Sequence, residues 1–256
     1  MKSMADKCVI VTGAAAGIGR ATALKFADRG ARVVVSDVDA EGGRETVSLI
    51  RECEGDAIFV ESDISEEAAV NRLIAEAVKV YGRLDYACNN AGIEGRILPL
   101  AEQPVENFDA IIATNLRGTF MCMKAEIAEM LKSGGGAIVN VASVAGHIGF
   151  PGLSPYVAAK HGVNGLTKNA ALEYGKVGIR VNSVCPGGIQ TRMLDSLVMQ
   201  STGGTSSTAA AMNPLHPIGR IGQPDEVAEL IIWLCSDQAS FVTGANVPVD
   251  GGYLAQ

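Results

Sequence analysis

A chain of 256 residues, 48% hydrophobic and 19% charged, is too apolar for a disordered segment; the size scaling of folded proteins lets about 72% of its surface be buried without a disulfide or metal staple. Acidic residues outnumber basic ones, 28 to 21, and no stretch concentrates Lys and Arg, which excludes a nucleic-acid backbone binder. Apolar runs such as residues 31–35 fall far short of the roughly 18 residues that span a bilayer, and the opening MKSMADK carries no signal-peptide core, so no membrane partner and a cytoplasmic location are expected.

In chain order, short β-branched runs alternate with longer amphipathic stretches. Strands are predicted at Cys8–Thr12, Arg32–Ser36, Ala57–Val60, Leu84–Ala87, Ala137–Val141, Arg180–Val184 and Asn246–Val249, with helices over 17–29, 40–53, 66–80, 104–131, 155–174 and 225–235. The third and sixth helices open on acidic residues, which suit a helix N-terminus. This alternation is that of βαβ units: an α/β fold with one doubly wound, seven-stranded parallel sheet and helices on both faces. No linker or repeat divides the chain, so residues 1–256 read as a single domain. The weakly patterned stretch 190–218 reads as a mobile substrate-binding loop. The six cysteines, scattered through apolar segments without metal-binding spacing, read as reduced and mostly buried.

Glycine, 30 of 256 residues, is in excess and placed with purpose. The first strand runs straight into GAAAGIGR, so Gly13, Gly17 and Gly19 punctuate a strand-to-helix turn where backbone N–H groups and the helix dipole can hold a pyrophosphate. The second strand ends at Asp37, 18 residues after Gly19, where a carboxylate accepts hydrogen bonds from both adenine-ribose hydroxyls. NADP would need a cation at this corner, whereas Ala16, Ser36 and Val38 are neutral and Asp37 repels phosphate; NAD is the expected cofactor. Asp63 follows the third strand, beside the expected adenine pocket. After the fourth, Asn89 and Asn90 can bind neighbouring strands and loops, while Ala91 and Gly92 keep the cofactor face clear.

Tyr156 and Lys160, four residues apart in YVAAK, share one helix face. A lysine cation about 4 Å from the phenol, at an effective dielectric of about 20, is worth roughly 4 kcal/mol, enough to bring a tyrosine from about 10 to near 7. Ser143 follows the fifth strand at the carboxyl edge of the sheet, where its hydroxyl can hold a substrate oxygen.

TGAAAGIG, NNAG, Ser143, YVAAK, CPGGIQT and the late VTGANVPVDGGY occur in that order, and over nearly its full length the chain resembles the NAD-preferring branch of the short-chain dehydrogenase/reductase family. The resemblance implies a Rossmann fold and reversible oxidation of a secondary alcohol to a ketone. It implies that Ser143 orients substrate, Tyr156 exchanges the proton, and Lys160 tunes Tyr156 and binds the nicotinamide ribose. Asn115 would position a water that links Lys160 to solvent; an asparagine inside a helix is unfavourable unless its side chain has such a task. Pro186, Gly187, Ile189 and Thr191 would close over the nicotinamide, with Gly188 as the usual single residue before the isoleucine. The implied cofactor-facing set is completed by Gly13, Gly17, Ile18, Gly19, Asp37, Asp63, Ile64, Asn90, Ala91, Gly92, Tyr156 and Lys160. A homotetramer built through the long helices and the C-terminal segment is also implied.

Zinc is the rival route to alcohol oxidation, but His147, His161 and His216 are isolated, so no metal is expected. His161 reads as structural, Trp233 as core or subunit contact, and His147 equally as pocket lining or surface. The substrate pocket is expected between residues 93–98, 144–153 and 190–218, with Met193, Leu194, Leu197, Val198 and Met199 making an apolar, adaptable wall. That points to a small uncharged or alicyclic alcohol or ketone. A 3-oxoacyl-carrier-protein reductase is the alternative, disfavoured by the absence of a basic docking cluster. An NAD-binding sensor or scaffold without catalysis is a second alternative, disfavoured by the complete set Asn115, Ser143, Tyr156 and Lys160.

Overall fold

Along β1 (Cys8–Thr12) side chains alternate between two cores, Val9 and Val11 entering one and Cys8 and Ile10 the other, so the strand is apolar on both faces as a central parallel strand must be. β2 (Arg32–Asp37), β3 (Asp56–Glu61), β4 (Tyr86–Asn89), β5 (Gly136–Val141), β6 (Ile179–Pro186) and β7 (Asn246–Val249) complete one parallel sheet in the order β3-β2-β1-β4-β5-β6-β7. The computed structural model describes residues 4–256; the first three residues of the MKSMADK opening lie outside the described residues.

The first core packs α1 (Gly17–Asp28), α2 (Ala40–Glu52) and α9 (Pro224–Cys235) on one face, through Phe26, Val47, Ile50 and Ile231 among others. The second packs α3 (Glu67–Tyr81), α5 (Thr119–Ser133) and α6 (Ser154–Tyr174) on the other, through Leu73, Met130 and Ala170. The fully buried large side chains among them, Phe26, Ile50, Ile231, Leu73 and Met130, each contribute roughly 1.5–3 kcal/mol. Helix starts follow local chemistry: Asp39 caps α2 by accepting the Gly42 N–H at 3.0 Å, and Gln223 with Glu226 forms a capping box behind Pro224 at α9. The strand order reverses between β1 and β4, which opens a crevice at the carboxyl edge.

Two expectations need correction. The helix predicted over 104–131 is divided into α4 (Val105–Ile111), a π-helical segment Ile112–Gly118, and α5. The wider turn carries Asn115 inward, and Gly118 lies so close to Ile64 that an added Cβ would approach its Cδ1 to 2.9 Å. The stretch 190–218 is not an unstructured loop: it contains α7 (Arg192–Thr202) and α8 (Thr208–Met212). Thr191 caps α7 by accepting the Leu194 N–H, Leu194 and Val198 bury one helical face, and Gly203 ends the helix in the left-handed region. Ser207 caps α8 in the same way.

Candidate active site

Strands β1 to β6 all deliver the residues singled out in the sequence to the carboxyl edge. At the end of β1, Gly13 has φ +65°, and a Cβ there would lie 2.7 Å from Ala91 Cα and 2.8 Å from Asn90 Nδ2. A Cβ on Gly19 would strike the Gly13 carbonyl, so these two glycines bring the β1 turn, α1 and the β4 loop into backbone contact. Gly17, at φ +54°, faces Thr191, whose Cγ2 an added Cβ would meet at 3.2 Å. The loops after β1 and β6 therefore close on one another across the crevice. Ala16 caps α1 without any side-chain hydrogen bond and no acid lies in the first turn, which leaves the first N–H groups of Gly17, Ile18 and Gly19 directed at the crevice for an anion.

Asp37 is held at the β2 end: its Oδ2 accepts the Ala15 N–H at 2.9 Å and its Oδ1 accepts the Asp39 N–H at 3.0 Å. The two cations of α1 are already paired. Arg20 bonds the carbonyls of Ala15 and Gly42 and the Glu45 carboxylate, and Lys25 reaches Glu229 at 2.8 Å. Next to Asp37 a cleft of about 550 Å³ is lined by Val38, Ser62, Asp63, Glu66 and Arg72. Asp63 is exposed and accepts the Ser65 N–H at 2.9 Å, whereas the Ile64 side chain is buried against Met121 and Cys122. At the β4 end Asn90 donates to the carbonyls of Thr12 and Gly13, both at 3.0 Å, and Asn89 donates to Glu126 and Asn140 at 3.0 Å each. Asn89 is thus a strand-to-helix tie, as its sequence context predicts.

Asn115 turns back on the same loop, accepting the Ile93 N–H and donating to the Ile93 carbonyl, both at 2.8 Å. Gly92 fits between Asn115 and Lys160: a Cβ there would lie 3.2 Å from Asn115 Oδ1 and 3.8 Å from Lys160 Nζ. Lys160 is buried, donates to the Val141 carbonyl at 2.8 Å and stands 5.5 Å from the Tyr156 ring centroid. Burial lowers the Lys160 ammonium to about 8. Burial also pushes the Tyr156 phenol up to about 12, against a lowering contribution from the Ser143 side chain and with a raising one from Glu94. The phenol near 7 expected from the sequence is thus corrected: burial of the phenol dominates, with the Glu94 charge adding to it. Ser143 follows β5 with its Oγ accepting the Ala145 N–H at 3.1 Å.

The three predicted walls of the pocket meet. Gln200 on α7 accepts the Ile97 N–H at 3.1 Å and donates to the Gly95 carbonyl at 3.3 Å. Gln103 donates to both the Leu98 and Gly152 carbonyls at 2.9 Å. Neither glutamine stands out in the sequence, because nothing in local patterning marks a residue that bonds a distant backbone. His147 is exposed, with Nε2 3.3 Å from Cys185 Sγ, while His161 is exposed with Nδ1 against the carbonyl of Val157, clear of the crevice. His216 differs from its sequence reading as an isolated side chain: it is buried and its Nε2 accepts the Gly188 N–H at 3.0 Å. Among the described residues no group of three His, Cys, Asp or Glu side chains is placed to hold a metal, no helix is long and apolar enough to cross a membrane, and all cysteines are free, only Cys53 being exposed.

The donor set fits a dinucleotide: an uncapped helix start, a pre-bonded carboxylate one strand away and a glycine-lined crevice between them. Comparison with known proteins agrees. A family model described as enoyl-(acyl carrier protein) reductase matches residues 13–254. A cyclohexanol dehydrogenase of Acinetobacter sp. (strain SE19) is 44% identical over 98% of this chain and 96% of its own. The crystal structure of levodione reductase superposes with TM-score 0.95 at 37% identity, covering 98% of this chain and 99% of that one. Carveol dehydrogenase from Mycobacterium avium in complex with NAD gives TM-score 0.95 at 28% identity over the whole of both chains.

Proposed function

Because the chain belongs to the short-chain dehydrogenase/reductase family, with NAD as cofactor, we propose that it oxidises small, uncharged alicyclic secondary alcohols to ketones, and reverses that reaction. The observation that carries this reading is the convergence of Ser143, Tyr156, Lys160 and Asn115 on the crevice beside Gly92. The substrate class rests on relatives named for cyclohexanol, levodione and carveol; of the apolar wall expected on α7, Leu194 and Val198 are buried, whereas Met199 is exposed.

In this reading the first-turn N–H groups at Gly17, Ile18 and Gly19 hold the pyrophosphate, Asp37 takes the adenine-ribose hydroxyls, and Asp63 with the Ile64 backbone borders the adenine. Asn90 shapes the crevice floor with Ala91 and Gly92, and Lys160 binds the nicotinamide ribose. Pro186, Gly187, Ile189 and Thr191 cover the nicotinamide, and α7 and α8 form the substrate lid. Bound NAD supplies the hydride acceptor, and its reduced form the donor. Ser143 orients the alcohol oxygen, and the Tyr156 phenolate takes the hydroxyl proton as the carbinol C–H bond gives up its hydride. Lys160 stabilises that phenolate by its charge, and Asn115 holds the Ile93 loop against it. In reduction the phenol returns the proton to the carbonyl oxygen.

Against the carrier-protein alternative stands the absence of a Lys and Arg cluster in the sequence, and Arg20, Lys25, Arg29, Arg83 and Arg220 are already ion-paired. A non-catalytic NAD module has no use for a half-buried Tyr156 beside a buried Lys160. The exposed apolar side chains Phe108, Phe120 and Leu172 on α4, α5 and α6, and Trp233 and Phe241 near the C-terminal end, support the homotetramer that the family resemblance implies; the cytoplasmic location rests on the sequence reading alone. The test is Tyr156→Phe: turnover should fall about a thousandfold while NADH binding is retained. Retention of most activity would remove Tyr156 as the acid/base.

A further inference from the structure

His216 lies at the end of the lid, just after α8, yet its ring is buried against the loop that follows β6. Its Nδ1 is 2.8 Å from the Met212 carbonyl and its Nε2 is 3.0 Å from the Gly188 nitrogen. A carbonyl only accepts and a backbone N–H only donates, so Nδ1 must carry the proton and Nε2 must be bare. The ring also sets the identity of Gly188, where an added Cβ would meet Cε1 at 2.9 Å, and it adds to the crowding at Gly187, where a Cβ would meet Asp250 Cα at 2.9 Å and Nε2 at 3.1 Å. Neither glycine has positive φ, so space rather than backbone conformation excludes a side chain there. On its other side the ring packs at 5.5 Å on Tyr253, which stacks at 6.0 Å on Phe150 of the 144–153 wall.

We propose that His216 is a positioning residue for the Pro186–Thr191 loop, tying the end of the lid to Gly188 and thereby fixing the backbone shape that loop presents to NAD. The proposal rests on the reading that this loop covers the nicotinamide. His216 touches neither cofactor nor substrate in this scheme; it acts through Gly187 and Gly188.

The test compares wild type with His216→Phe, His216→Gln and Thr191→Val, using NADH affinity by fluorescence titration and steady-state kinetics with NAD and a cyclic alcohol. His216→Phe keeps the ring volume against Tyr253 but strands the buried Gly188 N–H; its NADH Kd and its KM for NAD should rise about tenfold, with kcat at saturating NAD and KM for alcohol moving less than about threefold. His216→Gln, whose side-chain oxygen can accept the same N–H, should recover most of the affinity. If Thr191→Val weakens NADH binding and His216→Phe does not, the His216 role is overturned while the loop reading stands. If neither variant changes affinity, the loop reading fails and the proposal falls with it. A His216→Phe protein that melts lower but binds NADH normally marks a merely structural residue and also overturns it. Nitrogen-15 histidine NMR of the wild-type protein without NAD gives a readout independent of any variant's folding: the Nδ1–H tautomer is expected at His216, and the Nε2–H tautomer would contradict the assignment.

Discussion

The Asp37 carboxylate accepts the Ala15 backbone N–H at 2.9 Å, so the acid that ends β2 is fastened to the glycine-rich turn that ends β1. The bond fixes the carboxylate before any nucleotide arrives, and the pairing of Arg20 with Glu45 leaves that cation committed elsewhere. Asp37→Asn should therefore reduce kcat/KM with NAD about tenfold to a hundredfold and raise it with NADP, because the repulsion of a 2′-phosphate is removed. Parallel kinetics with the two cofactors check this. An unchanged NAD to NADP ratio would detach Asp37 from the ribose.

The Tyr156 and Lys160 pair gives the reaction an asymmetric pH dependence. Oxidation needs the phenolate, and burial holds the phenol up at about 12. The base form therefore grows as pH rises through the neutral and alkaline range, and alcohol oxidation should climb from about pH 6 to about pH 10. Ketone reduction uses the phenol itself and should not climb. Initial-rate profiles in both directions decide the matter; an oxidation rate flat across that range would refute the assignment.

Glu126 on α5 is buried among Asn89 and the sheet, and burial pushes its carboxyl from 4.5 up to about 7 despite the Asn89 hydrogen bond. Since the folded value lies above the unfolded one, the folded chain binds the extra proton between about 4.5 and about 7, and stability falls as pH rises through that window. The penalty is complete above about 7 and on the order of 3 kcal/mol. Glu126→Gln carries no charge, and its amide can donate to Asn89 Oδ1, which has no partner among the described residues. The variant should melt higher than wild type at about pH 8 and nearly alike at about pH 5, as followed by thermal unfolding at the two pH values. Equal shifts at both would contradict the account.

Much of this site is legible in the sequence because its parts are local. Gly13, Gly17 and Gly19 sit in one turn, Tyr156 and Lys160 on one helical face, and every strand carries an apolar run, so period and spacing place them. Asn115 is legible as an anomaly, a side chain unsuited to a helix interior, and the π-helical turn that accommodates it is the physical answer. What escapes is interaction at a distance. Gln200 bonding Gly95, Gln103 bonding Gly152, and His216 reading the Gly188 N–H each depend on two segments meeting only after folding. The lid helices were masked for another reason: the STGGTSS run between α7 and α8 outweighs the caps at Thr191 and Ser207 and reads as loop. The Tyr156 phenol near 7 failed because pairwise charge is visible in sequence and desolvation is not.

The measurement that bears most directly on the account is the initial rate of NADH appearance when the purified protein meets NAD and a panel of secondary alcohols: cyclohexanol and substituted cyclohexanols, open-chain alcohols, and an acyl-carrier hydroxy thioester. The account predicts turnover with NAD, fastest on the uncharged ring alcohols. Silence on every ring alcohol, or faster oxidation of the carrier-bound substrate, would contradict it.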